Sequence, residues 1–145
     1  VTASMIGVQS FSWSLSRPFA WEARAWTLRA AIEAAASDTG TPVDAAFVRQ
    51  FFEKVAPGIT DQFDGPAMLS AIAPRPLLIS SGESDPRSPV GSVRHAVAAA
   101  ERAYTKAGVR NALSFILPVD AAHEVTADGH QAAIDWFVRW LRPGK

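Results

Sequence analysis

The chain has no cysteine. That absence excludes a disulfide framework, a zinc–thiolate centre and a cysteine nucleophile, and it suits either redox environment. It has no net charge either, with 14 Lys+Arg against 14 Asp+Glu. The basic footprint of a nucleic-acid binder is therefore missing. No apolar run approaches the ~18 residues that a membrane helix needs. Neither Gly-x-Gly-x-x-Gly nor a phosphate-binding loop occurs, which argues against a nucleotide-binding α/β domain. His123-Glu124 invites a zinc reading, but His-Glu-x-x-His fails because position 127 is Ala. No metal and no cofactor are expected. The first residues lack the basic start and long apolar stretch of a signal peptide. The chain begins at Val1 without Met, so the expectation is a processed chain or a piece of a longer one. Localisation stays open.

What is present is a 145-residue chain, 48% hydrophobic and 19% charged, enough apolar material for one core and too ordered in composition for a disordered segment. Alanine is frequent, with 27 residues gathered in helix-like stretches. Short apolar runs at 4–9, 76–81 and 113–117 read as buried strands. Helices are expected from Phe19 to Ser37, stopping at Asp38-Thr-Gly40, from about Asp44 to Val55, and from Asp64-Gly-Pro66 to about Ala71. Two more are expected, Pro89–Ala107 with Gly108 as its cap, and Thr126–Leu141. The last carries Ile134, Phe137, Val138 and Leu141 on one face, beside an i,i+4 pair, Trp136 and Trp140. Strands alternating with helices predict an α/β layer around a parallel sheet. Three strands make a small sheet, and a bare parallel edge is a liability. Further strands are therefore expected before residue 1.

Functional loops of open parallel sheets lie at the carboxyl ends of the strands. Here these are Ser10-Phe-Ser-Trp13, Gly82-Glu-Ser-Asp85-Pro-Arg87 and Pro118-Val-Asp120-Ala-Ala-His123-Glu124. The second supplies a carboxylate and the third an imidazole, on one edge of neighbouring strands. A carboxylate that fixes the tautomer of a histidine base is two thirds of a catalytic triad. Asp120 is a second candidate acid, though three residues along the same loop suit a local contact better. Ser-Asp-Pro is also ordinary turn chemistry. His95 and His130 read as surface residues and Arg75 as structural. Arg87 reads as a solvated loop residue, with an acidic substrate group as its alternative partner.

Ile72-Ala-Pro-Arg-Pro-Leu-Leu-Ile-Ser-Ser-Gly-Glu-Ser-Asp-Pro-Arg-Ser-Pro89 resembles the acid-bearing segment of α/β-hydrolases, in the branch of dienelactone hydrolases, acetyl xylan esterases and prolyl-oligopeptidase-like enzymes. Ala103-Tyr-Thr-Lys-Ala-Gly108 resembles the end of the next helix in that branch. His123-Glu-Val-Thr126 with Trp136-Phe-Val-Arg-Trp-Leu141 resembles the histidine loop and closing helix. Met5-Ile-Gly-Val-Gln-Ser-Phe11 resembles the strand that follows the nucleophile helix. The likeness spans nearly the whole chain, but only the C-terminal half of the family's domain.

The resemblance implies a single partial domain, 1–145: strand and aromatic loop at 1–16, a helical cap-like insertion at about 17–72, and acid and histidine loops with closing helices at 73–145. It implies Asp85 as catalytic acid and His123 as base, with Phe11 and Trp13 lining a substrate pocket beneath the cap. The family's order Ser…Asp…His puts the serine upstream, on a Gly-x-Ser-x-Gly elbow that this chain lacks. Gly82-Glu-Ser84-Asp-Pro86 only imitates that elbow, and Ala122 stands where the family usually has Gly. The expected partner is thus the N-terminal half of the same hydrolase, carrying the serine, and the substrate a small ester or amide; neither nucleic acid nor membrane is expected. The competing expectation is a non-catalytic hydrolase-like module used for binding or assembly, or an inactive fragment.

Overall fold

Leu77-Leu-Ile-Ser80 has all four residues buried and forms the central strand, β2. The computed structural model describes residues 1–142. Among them β2 lies between two parallel neighbours, β1 (Thr2–Met5) and β3 (Leu113–Ile116), in the order β1-β2-β3. Thr2 is in register with Leu77, and Leu77 with Leu113. Side chains of a strand alternate between faces. Leu77 and Ile79 accordingly pack with Val93, Ala96, Val97, Ala100 and Tyr104 of helix α6 (Val90–Lys106). Leu78 points the other way, into Ala133 and Trp136 of helix α7 (Ala127–Leu141). The sheet is therefore covered on both faces, as a parallel sheet requires.

The chain is α/β, with its three strands close to where the apolar runs put them. The first is shifted: the run at 4–9 is replaced by Thr2–Met5, because Ile6 adopts a left-handed backbone (φ 55°) and ends the ladder after its N–H donates to Ser80 O at 2.8 Å. A β-branched residue pays a steric cost there, so tertiary contacts hold it in place.

Between β1 and β2 lie helices α1 (Phe11–Leu15), α2 (Glu22–Ala25), α3 (Arg29–Thr39), α4 (Ala45–Val55) and α5 (Gly65–Ser70). They have their own apolar cluster, in which Leu15, Ala25, Ile32, Val48 and Phe52 are buried. The Ser10–Trp13 loop is in fact the cap and opening of a helix, with the Ser10 side chain accepting from Trp13 N. The unbroken helix expected over Phe19–Ser37 is divided by a 3-10 turn at Trp26–Leu28. No glycine or proline sits there. The break coincides with Arg24 and Trp26 packing on the loop after β2, so tertiary contact overrides propensity. Capping matches the sequence elsewhere: Asp44, Asp64 and Thr126 accept from the first turns of α4, α5 and α7, and Gly40 (φ 65°) follows α3.

The α7 face bearing Ile134, Phe137, Val138 and Leu141 does not enter this core. All four are exposed, Leu141 by 62%. The opposite side of the helix, Ala133 and Trp136 with Trp140 beside them, meets the sheet instead.

Candidate active site

The loop after β2 and the loop after β3 are joined by backbone. Ser81 N donates to Ile116 O at 3.2 Å, Glu83 N to Pro118 O at 3.1 Å and Ser84 N to Ala121 O at 3.0 Å. Gly82 makes this closeness possible: a Cβ there would collide with the carbonyl oxygens of Ala121 and Ala122. The pairing carries Asp85 up against His123.

His123 Nδ1 donates to Asp85 Oδ2 at 2.8 Å, and Asp85 Oδ1 accepts Arg87 N at 2.8 Å. The Asp85 side chain is completely buried and that of His123 is 32% exposed. The carboxylate is thus held by its own turn on one oxygen and grips the imidazole with the other. A carboxylate accepts a hydrogen bond from Nδ1–H, which keeps the proton on that nitrogen and leaves Nε2 as the unprotonated nitrogen, able to accept a proton. Among the described residues Asp85 is the one hydrogen-bond partner of His123, and no serine hydroxyl bonds to it. Asp120, the other candidate acid, is exposed on a left-handed turn (φ 59°), a conformation Asp tolerates. His95 and His130 are exposed, and Ser84 lies exposed on the acid loop.

His123 opens onto a cleft of about 480 Å³ whose wall includes Ile6, Phe11, Arg24, Trp26, Phe52 and Arg87. Phe11 is where the resemblance implied a pocket residue. Trp13 is not: its ring sits over Gly91 of α6, where a Cβ would strike it, and stacks edge-on to Phe19 with Arg17 above it at 4.2 Å. Two residues apart on a helix face different ways, so Phe11 and Trp13 cannot line the same surface.

Two residues of the site were not singled out by the sequence. Arg24, on α2, is only 4% exposed. Its Nη2 donates to the Arg87 carbonyl, tying α2 to the acid loop, and its guanidinium lies 5.0 Å over the Phe11 ring. Burial pulls Arg24 down to about 10, opposed by Asp64 and Asp85, so it stays charged at neutral pH. Asp64 is 3% exposed and collects five donors: Phe11 N (2.6 Å) and Gly65 N (2.7 Å) on Oδ1, and Ser10 Oγ (2.8 Å), Ser12 N (3.1 Å) and Ser12 Oγ (2.6 Å) on Oδ2. One carboxylate therefore caps both α1 and α5 and sets Phe11 on the cleft wall. Burial pushes its pKa up, but these hydrogen bonds outweigh it and leave the group below its ordinary value. The only sequence signal for Asp64 was its place before Gly-Pro; for Arg24 it was the one basic residue between Trp21 and Trp26. Comparison with models of known protein families and with curated proteins finds no match for this chain.

Proposed function

We propose that this chain is the acid- and histidine-bearing part of a serine hydrolase of the α/β-hydrolase kind. The observation that carries the reading is the 2.8 Å contact between a fully buried Asp85 and His123 at the carboxyl ends of adjacent parallel strands. In this reading a serine outside these 145 residues attacks an ester or amide carbonyl. His123 Nε2 takes the hydroxyl proton and returns it to the leaving group as the tetrahedral intermediate collapses. Water then attacks the acyl-enzyme with His123 again as base, and His123 returns that proton to the serine oxygen as the acid product leaves. Asp85 keeps the imidazole in the productive tautomer and stabilises its protonated form.

Two further features support a partner that brings the serine. β1 is an edge strand of a parallel sheet, and the apolar face of α7 is exposed at Ile134, Phe137, Val138 and Leu141. A half-domain pairing with β1 would carry its own helices toward α7. The same surfaces serve the second reading, a non-catalytic assembly module, and labelling separates the two. Fluorophosphonate treatment of the native material, read by intact mass, is expected to tag a serine outside these residues, with the tag lost in His123→Ala. If nothing assembled with this chain takes the label, the catalytic reading fails and the assembly reading stands.

A further inference from the structure

We propose that the cleft beside His123 is a carboxylate-binding site, in which Arg24 holds the anionic end of a ligand whose apolar body lies against Phe11, Phe52 and Trp26. That the ligand is the substrate rests on the hydrolase reading above; that it binds does not.

Arg24 is a buried cation without a bonded anion. Buried charges in proteins are as a rule paired. Among the described residues, Arg24 makes no salt bridge, and its one hydrogen bond is to a neutral carbonyl, that of Arg87. Its Nε is buried and has no acceptor. Unmet buried donors are rare and mark positions where something is required of them. The nearby carboxylates do not meet this need. Asp64 spends both oxygens on five donors, and Asp85 spends its two on Arg87 N and His123. They lower the cost of the charge from a distance and leave Nε and Nη1 without an acceptor, Nη2 being held by the Arg87 carbonyl.

Chemistry then selects the ligand. A guanidinium presents a planar fork matched to a carboxylate. Arg87, exposed on the same wall and 5.6 Å from the Trp26 ring, adds a second positive charge at the mouth. The rest of the wall is largely apolar, with Ile6, Phe11, Phe52 and Leu28, which favours an aromatic or aliphatic body over a sugar or phosphate. A ligand with its carboxylate on Arg24 would lie in the same cleft as the imidazole of His123. The substrate class is therefore an ester or amide with a free carboxylate and an apolar body.

The test needs no turnover. The 145-residue chain is titrated with sodium benzoate and, separately, with benzamide at constant ionic strength, and followed by ¹H–¹⁵N NMR. Benzoate is expected to shift the Gly7 and Ala23 amides and the Trp26 indole saturably, with benzamide at least tenfold weaker. Arg24→Lys is expected to weaken benzoate severalfold and Arg24→Met to abolish saturation, while His95→Ala, on the exposed side of α6 and outside the cleft, binds as the parent does. The proposal is overturned if benzamide binds as well as benzoate, if no cleft signal saturates, or if Arg24→Lys binds undiminished. Should Arg24→Met not fold, the two ligands and the Lys variant decide the matter. Benzoate binding without any fluorophosphonate target would retain the anion site and discard the hydrolase. A labelled serine without benzoate binding would do the reverse.

Discussion

Replacing Asp64 with Asn exchanges one carboxylate oxygen for an N–H donor in a cluster made of donors. If the new amide takes the place of Oδ1, it faces Phe11 N and Gly65 N, and two backbone donors lose their acceptor. If it takes the place of Oδ2, the hydroxyls of Ser10 and Ser12 can turn to accept from it, but Ser12 N is stranded. The second arrangement costs less. One stranded backbone N–H costs about 1–3 kcal/mol, and the bonds that remain lose their charge assistance, so the total is about 2–4 kcal/mol. Asp64→Ala removes the cap from α1 and α5 together and is expected to cost about 3–5 kcal/mol. Urea unfolding followed by circular dichroism reads this directly. With an m-value of about 2 kcal/mol per M, the Asn midpoint falls by about 1 M or more at unchanged slope. An Asn variant within about 0.5 kcal/mol of the parent would refute the claim that one carboxylate organises both helices.

Other consequences follow from the same geometry. Asp64 lies below its ordinary value of 3.8 in the folded chain, so its contribution is fully present above about pH 4 and is lost as the pH falls through the folded value. The urea midpoint of the parent should therefore drop below pH 4 more steeply than that of Asp64→Asn, and parallel curves would contradict the assignment. In the complete assembly, Asp85→Asn should lower ester turnover by about 10⁴-fold by presenting the wrong tautomer, and His123→Ala should lower it comparably, both with the fold kept. Near-parental hydrolysis of p-nitrophenyl esters by either variant would remove the triad. Gly82→Ala should push the β2 and β3 loops apart at a cost of about 1–3 kcal/mol. Its mark in NMR would be loss of the low-field Nδ1–H signal of His123, and a retained signal would show that the loops tolerate a Cβ.

Much of the scaffold was legible along the chain because its causes are local. Leu77-Leu-Ile-Ser80 is apolar and bounded by Pro76, so it had little choice but a buried strand. Asp44, Asp64 and Thr126 announced helix starts, and Gly40 and Gly108 helix ends, because capping uses backbone groups a few residues away. The break at Trp26–Leu28 was not legible, since the contact that makes it runs from Arg24 to Arg87, 63 residues on. Ile6 hid the end of β1 for a related reason: nothing in a β-branched residue signals a left-handed backbone.

The candidate site divides along the same line. The sequence by itself determined that an aspartate and a histidine would stand on loops after two apolar strands, because apolar patterning locates strands and the loops between them, and consecutive strands of an alternating α/β chain tend to be neighbours. Only the tertiary structure decided that Asp85 rather than Asp120 reaches the imidazole, through the 2.8 Å contact that the closeness of two loops at Gly82 permits. It also sent Phe11 into the cleft and Trp13 onto α6, put Arg24 in the cleft wall, and set Asp64 behind that wall as the acceptor that holds Phe11 in place. Those outcomes depend on contacts between residues dozens of positions apart, and no local propensity carries information about which distant donor a buried charge will meet.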